Sequence, residues 1–82
     1  MESLNIAIDL LRNALQLGAR ADQLTADSPL MGAFPEFNSL TVVGIVAGIE
    51  ETLGCEVGDT EISEEIFQTV GSLADFIQTK MA

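Results

Sequence analysis

Histidine, tryptophan and tyrosine are absent from this chain, and cysteine occurs once. Without a neighbouring base a serine hydroxyl is a weak nucleophile, and the residues offer no acid–base pair with plausible catalytic geometry. The sequence therefore argues against an enzyme. A single cysteine forms no intramolecular disulfide and builds no multi-cysteine metal site; Cys55 reads as a small apolar residue packed beside Leu53 and Val57. Lysine and arginine total 3 against 13 acidic residues, a formal charge of −10. That balance argues against nucleic acid, whose phosphates need many basic contacts, and favours partners with basic surfaces. No apolar run reaches the ~20 residues needed to span a bilayer. No basic stretch precedes an apolar one, as it would in a secretory signal, so the expected setting is the cytoplasm.

What is present suits one small helical domain. The 82 residues, 48% of them hydrophobic, lie near the lower limit for a core that folds unaided. They are too apolar for a disordered acidic tail. Leu4, Ile8, Leu11 and Leu15 share one helical face over Ser3 to Leu17, with Ser3 as N-cap and Gly18 as the left-handed terminator. A second helix is predicted from Asn38 or Ser39 to about Gly54, burying Val42, Ile45, Val46, Ile49 and Leu53. Its β-branched residues and Gly44 and Gly48 would tolerate a strand, but the 3.6 period runs unbroken to Leu53. The third long helix spans Val70 to Met81, with Val70, Leu73, Ala74, Ile77 and Met81 buried and Thr69 or Ser72 as cap. Ser63 is placed to cap a short turn through Ile66 and Phe67. The expected fold is all-α: a small four-helix bundle, three longer helices plus one short one, with a long loop between helices 1 and 2. Residues 1–82 form a single domain, expected to be a monomer.

That loop, Gly18 to Asn38, is long for so small a domain, and loops of this size are often functional. Leu24, Leu30, Phe34 and Phe37 supply anchors, and Asp27-Ser28-Pro29 reads as a turn. A pinned loop would deliver the chain in a fixed direction to Ser39, at the start of the second helix. There the helix dipole favours a covalently attached phosphate. Ser39 therefore reads as a residue modified by another protein.

Other patterns carry less. Gly44 and Gly48 form a small-xxx-small pair suited to close packing against a neighbouring helix or a partner. Asp59, Glu61, Ser63 and Glu65 alternate like part of a calcium loop, but Glu64 stands where the sharp-turn glycine belongs. The pairs Glu50-Glu51 and Glu64-Glu65 read as solvated faces. With so many carboxylates, like-charge crowding is expected to raise their pKa values in the folded state, making mild acid and added salt stabilising.

Taken together, the first amphipathic helix, the loop stretch Leu24-Thr25-Ala26-Asp27-Ser28-Pro29-Leu30, Asn38-Ser39-Leu40, Glu50-Glu51 and Phe67-Gln68-Thr69-Val70-Gly71-Ser72-Leu73 resemble an acyl carrier protein over nearly the whole length. The loop wording Gly32-Ala33-Phe34-Pro35-Glu36-Phe37 is similar to carriers of exopolysaccharide and exosortase-associated clusters. The resemblance implies 4′-phosphopantetheine, derived from coenzyme A, on Ser39, with Asn38 and Leu40 beside it. It implies a phosphopantetheinyl transferase and acyl ligase, acyltransferase or synthase enzymes with basic docking surfaces as partners. These would contact Glu36, Val43, Gly44, Ala47, Glu50 and Glu51. Two departures stand out. Asn38 replaces the family's aspartate, and Val43, Gly44 and Ala47 are uncharged where fatty-acid-synthesis carriers are often acidic. The second departure favours a dedicated partner over the general fatty acid machinery. The alternative reading is a small acidic helical adaptor without a prosthetic group, Ser39 serving only to start a helix.

Overall fold

A computed structural model describes residues 2–30, 39–58 and 61–81, Ser39 by its backbone alone. Three α-helices, α1 (Glu2–Ala14), α2 (Ser39–Leu53) and α3 (Val70–Met81), are joined by segments containing the short 3₁₀ helices Gly18–Gln23 and Glu64–Phe67. The all-α four-helix expectation holds, with Glu64–Phe67 as the short fourth helix. The loop between α1 and α2 holds a 3₁₀ helix of its own. α1 packs against both α2 and α3. Leu11, Leu30, Ile45, Ile49, Val70, Leu73 and Ile77 form the fully buried centre. Val42, Val46, Leu53 and Met81 are half-buried against it, and Cys55 is half-buried. The apolar stripes of α2 and α3 thus face inward as their period predicts.

α1 departs from expectation at both ends. Ser3 does not cap it. Ser3 lies inside the first turn with its side chain buried, and its hydroxyl has no partner among the described residues. At the other end the helix stops at Ala14, and Gln16 takes the left-handed conformation, φ 54°. The Leu17 amide then donates to the Arg12 carbonyl at 3.0 Å, the six-to-one bond of a Schellman motif. This turn lets Leu17 join Leu11 and Leu15 in the core. Gly18 is also left-handed, φ 57°, but it opens the 3₁₀ helix and does not close α1. A left-handed non-glycine residue costs about 1–2 kcal/mol. Gln16→Gly should therefore stabilise the protein by about 1 kcal/mol and raise Tm by roughly 4–8 °C. A lower Tm would show that the Gln16 side chain matters more than its backbone. At the end of α2, Gly54 (φ 66°) is the predicted terminator, its amide donating to the Glu50 carbonyl at 2.8 Å.

The start of α3 explains how the long loop is held. A helix leaves its first amides without internal acceptors, and here the first four have partners. The Thr69 amide donates to Ser72 Oγ and the Ser72 amide to Thr69 Oγ1, both at 3.0 Å, a reciprocal cap using both candidate residues. The Val70 amide donates to the Ser28 carbonyl at 3.0 Å and the Gly71 amide to the Ala26 carbonyl at 2.8 Å. One step on, the Leu30 amide donates to the Gln68 carbonyl at 2.9 Å. The predicted turn closes through the Ser28 amide on the Thr25 carbonyl, 3.0 Å, and the Thr25 amide on Ser28 Oγ, 2.9 Å. Leu30 is fully buried and Leu24 half-buried; the other expected anchors, Phe34 and Phe37, lie outside the described residues. Ser63 precedes the second 3₁₀ helix but makes no side-chain cap; its carbonyl accepts from the Ile66 amide at 3.2 Å.

Candidate functional site

Ser39 is the first residue of α2, and no acidic side chain stands in that first turn. The positive end of a 15-residue helix is thus not offset by a carboxylate of its own, which suits an anionic substituent. Leu40, next in the chain, is 79% exposed, so the helix start opens onto the surface. A phosphodiester-linked arm on the preceding residue fits this setting. Asn38 and Glu36 lie outside the described residues.

The predicted partner residues separate into two groups. Val43 is 66% exposed, and Gly44, Ala47 and Glu51 are exposed as well. With Leu40 they recur at i, i+3, i+4, i+7 and i+11, one outward stripe of α2. Glu50 borders that stripe, lining a cleft beside Val43 and Ala47, but is half-buried. Its carboxylate accepts the Val57 amide at 2.9 Å in a half-buried setting, tying the chain after α2 back to the helix. Glu50 is therefore a positioning residue in this fold, a role that no local pattern in the sequence signals. Val57 and Ile62 together with Val43, Val46 and Ala47 line a cleft of about 240 Å³ along this side of α2. Toward α1, Gly48 makes the close approach expected of it. A Cβ there would stand 2.6 Å from Leu10 Cδ2, whereas one at Gly44 would meet nothing within 4 Å.

The segment following the cleft is held by charge. Glu61 accepts the Gly58 amide at 2.8 Å and pairs with Lys80 of α3, whose Nζ sits 5.8 Å from the Phe76 ring centroid. The hydrogen bond from Lys80, then that from Gly58, holds the Glu61 carboxyl below its ordinary value, against a smaller opposing effect of desolvation. This shift runs opposite to the crowding effect expected from composition. A depressed carboxylate pKa contributes stability above the unfolded value of about 4.3, and that stability is lost as pH falls through the lower folded value. The difference in Tm between the native protein and Glu61→Gln should therefore be constant near neutral pH and shrink below about pH 4. A difference independent of pH would show that the ion pair contributes nothing.

Among the described residues no helix is long and apolar enough to cross a membrane. A profile of the phosphopantetheine attachment site matches residues 8–77. The solution NMR structure of the holo acyl carrier protein from Nitrosomonas europaea is 41% identical, covers 99% of this chain and 98% of its own, and superposes with a TM-score of 0.89. The chain belongs to the acyl carrier protein family. No curated protein matches it significantly. The carrier bears 4′-phosphopantetheine and is not itself an enzyme. The adaptor reading gives way with that. Its partners are a phosphopantetheinyl transferase and acyl-handling enzymes.

What sequence reasoning missed in this carrier is mostly support for the site. Leu10 leans into the space beside Gly48, and the Ala26 and Ser28 carbonyls complete α3. The Gly71-Ser72 pair carried a signal, a glycine followed by a cap residue. Which carbonyls it would meet was not written locally.

Proposed function

We propose that Ser39 is the residue that carries 4′-phosphopantetheine and that the outward stripe of α2 meets the enzymes using it. The observation that carries this reading is the start of α2 at Ser39, free of first-turn carboxylates and followed by an exposed leucine. The arm supplies a terminal thiol that holds acyl groups as thioesters. The chain's own residues give that arm a fixed root. Helix α2 favours the anionic linkage, and the Ala26–Leu30 strap on α3 fixes the chain up to nine positions before Ser39. Tethering then raises the effective concentration of cargo at a docked enzyme. Intact mass after incubation with coenzyme A and a broad-specificity transferase tests the assignment, Ser39→Ala being the control.

The apolar stripe favours a dedicated acyl ligase, acyltransferase or synthase, such as one encoded with an exopolysaccharide or exosortase cluster. Val43, Gly44 and Ala47 offer shape where an acidic strip would offer charge, and Glu51 supplies electrostatic guidance. The family resemblance adds Glu36 as a partner contact, and Asn38 directly precedes the attachment residue in the chain. We read the carrier as a monomer acting in the cytoplasm.

A further inference from the structure

Ile66 and Phe76 are large apolar side chains that pack on the core yet stay only half-buried. Both line an open groove of about 300 Å³ between the 3₁₀ helix Glu64–Phe67 and α3. The 3₁₀ helix contributes Glu65 to it and α3 contributes Asp75, both exposed. Among the described residues the ion pairs join Arg12 to Asp9 and Asp22, and Lys80 to Glu61. Neither groove carboxylate therefore has a cation. Two of the groove's hydroxyls spend their hydrogens inside the fold. Ser72 Oγ donates to the Ile66 carbonyl at 2.7 Å, and Thr79 Oγ1 to the Phe76 carbonyl at 2.6 Å. Of the lining side chains only Ser63, which makes no cap, keeps a hydrogen to offer. No residue of α2 lines this groove.

We infer that this groove is a second docking surface, which takes an arginine-bearing segment of a partner protein while α2 stays free. Its chemistry selects the occupant. The apolar lining favours a long aliphatic stem, and the excess of acceptors favours a head group that only donates. A guanidinium meets both needs. Its planar fork suits carboxylates and stacks on aromatic rings, where an ammonium is a point charge. Phe76 already takes one cation, the Lys80 ammonium 5.8 Å from its ring centroid, and Glu61 offsets that charge. A groove of this size lies at the small end of binding pockets, so it seats one side chain as an anchor. A second copy of this chain is the poorer occupant. Its one arginine outside the ion pairs is the exposed Arg20, and a net charge of −10 repels its own kind.

The test is an NMR titration of the isotope-labelled protein with the peptide acetyl-Leu-Arg-Leu-amide at low salt. Saturable shifts should concentrate on the amides of Ile66, Asp75, Phe76 and Thr79. The same peptide with citrulline for arginine, alike in shape but uncharged, should bind about tenfold more weakly. The arginine peptide should lose affinity by about the same factor on the double variant Glu65→Gln, Asp75→Asn. The control, Glu2→Gln with Glu56→Gln, removes as much charge from exposed positions elsewhere and should keep the affinity within about twofold. Melting curves confirm that both variants fold. Equal losses in the two double variants, or equal binding of the citrulline peptide, overturn the groove assignment. So do shifts centred on Val43 and Ala47. If unlabelled carrier alone reproduces the groove shifts and Arg20→Gln removes them, the occupant is a second copy and the partner reading fails. None of these outcomes depends on whether Ser39 gains mass, so the attachment reading is tested separately.

Discussion

Ser39→Ala is expected to abolish phosphopantetheinylation outright while leaving helical content unchanged. The chemical reason is absolute, because without the hydroxyl there is no oxygen to form the phosphodiester. The structural reason is that Ser39 is the first residue of α2, where alanine is a good helix former. The buried residues holding α2, Ile45 and Ile49, lie farther along the helix. The native protein should shift in mass by one arm on incubation with coenzyme A and transferase, and the variant should not. Far-ultraviolet circular dichroism of the two should superimpose. A shift that persists in Ser39→Ala would put the arm on another residue.

The second large effect is expected at Gly71, where adding one methyl should destabilise the protein by about 1–3 kcal/mol, as overpacking does. A Cβ there would stand 2.8 Å from the Ala26 carbonyl oxygen, the same oxygen that accepts the Gly71 amide at 2.8 Å. Backbone cannot step aside as a side-chain tip can, so relief of the clash lengthens that bond. It also loosens the neighbouring pair between Val70 and Ser28. Helix propensity alone would make the same substitution favourable by about 1 kcal/mol, which is the expectation for Gly44→Ala. One chemical change at two helical glycines should thus move Tm in opposite directions. Should Gly71→Ala melt higher than the native protein, the strap from Ala26 to Leu30 does not hold α3 as described.

Much of this carrier was legible from its residues. The bounds of α3, Val70–Met81, and the end of α2 at Gly54 followed from a 3.6-residue apolar period and local terminators. Ser39 at the start of α2 followed in the same way. The outward stripe of Val43, Gly44 and Ala47 was legible as the face left over once Ile45 and Ile49 turn inward. α1 was misjudged by three residues at its end because Gly18 reads locally as its terminator. The chain instead reverses at Gln16 to bury Leu17, a choice made by the core and not by helix propensity.

What the sequence determined by itself is therefore the set of signals carried within a few residues: period, cap, terminator, and the position of a modifiable serine. The tertiary structure alone decided the rest. It set the Ala26 carbonyl on an amide 45 positions away, the Glu50 carboxylate on Val57, Glu61 against Lys80, and Leu10 against Gly48. Each of those pairings depends on how helices settle against one another. Burial drives that settling without direction, whereas the polar groups it brings together must each find a specific partner.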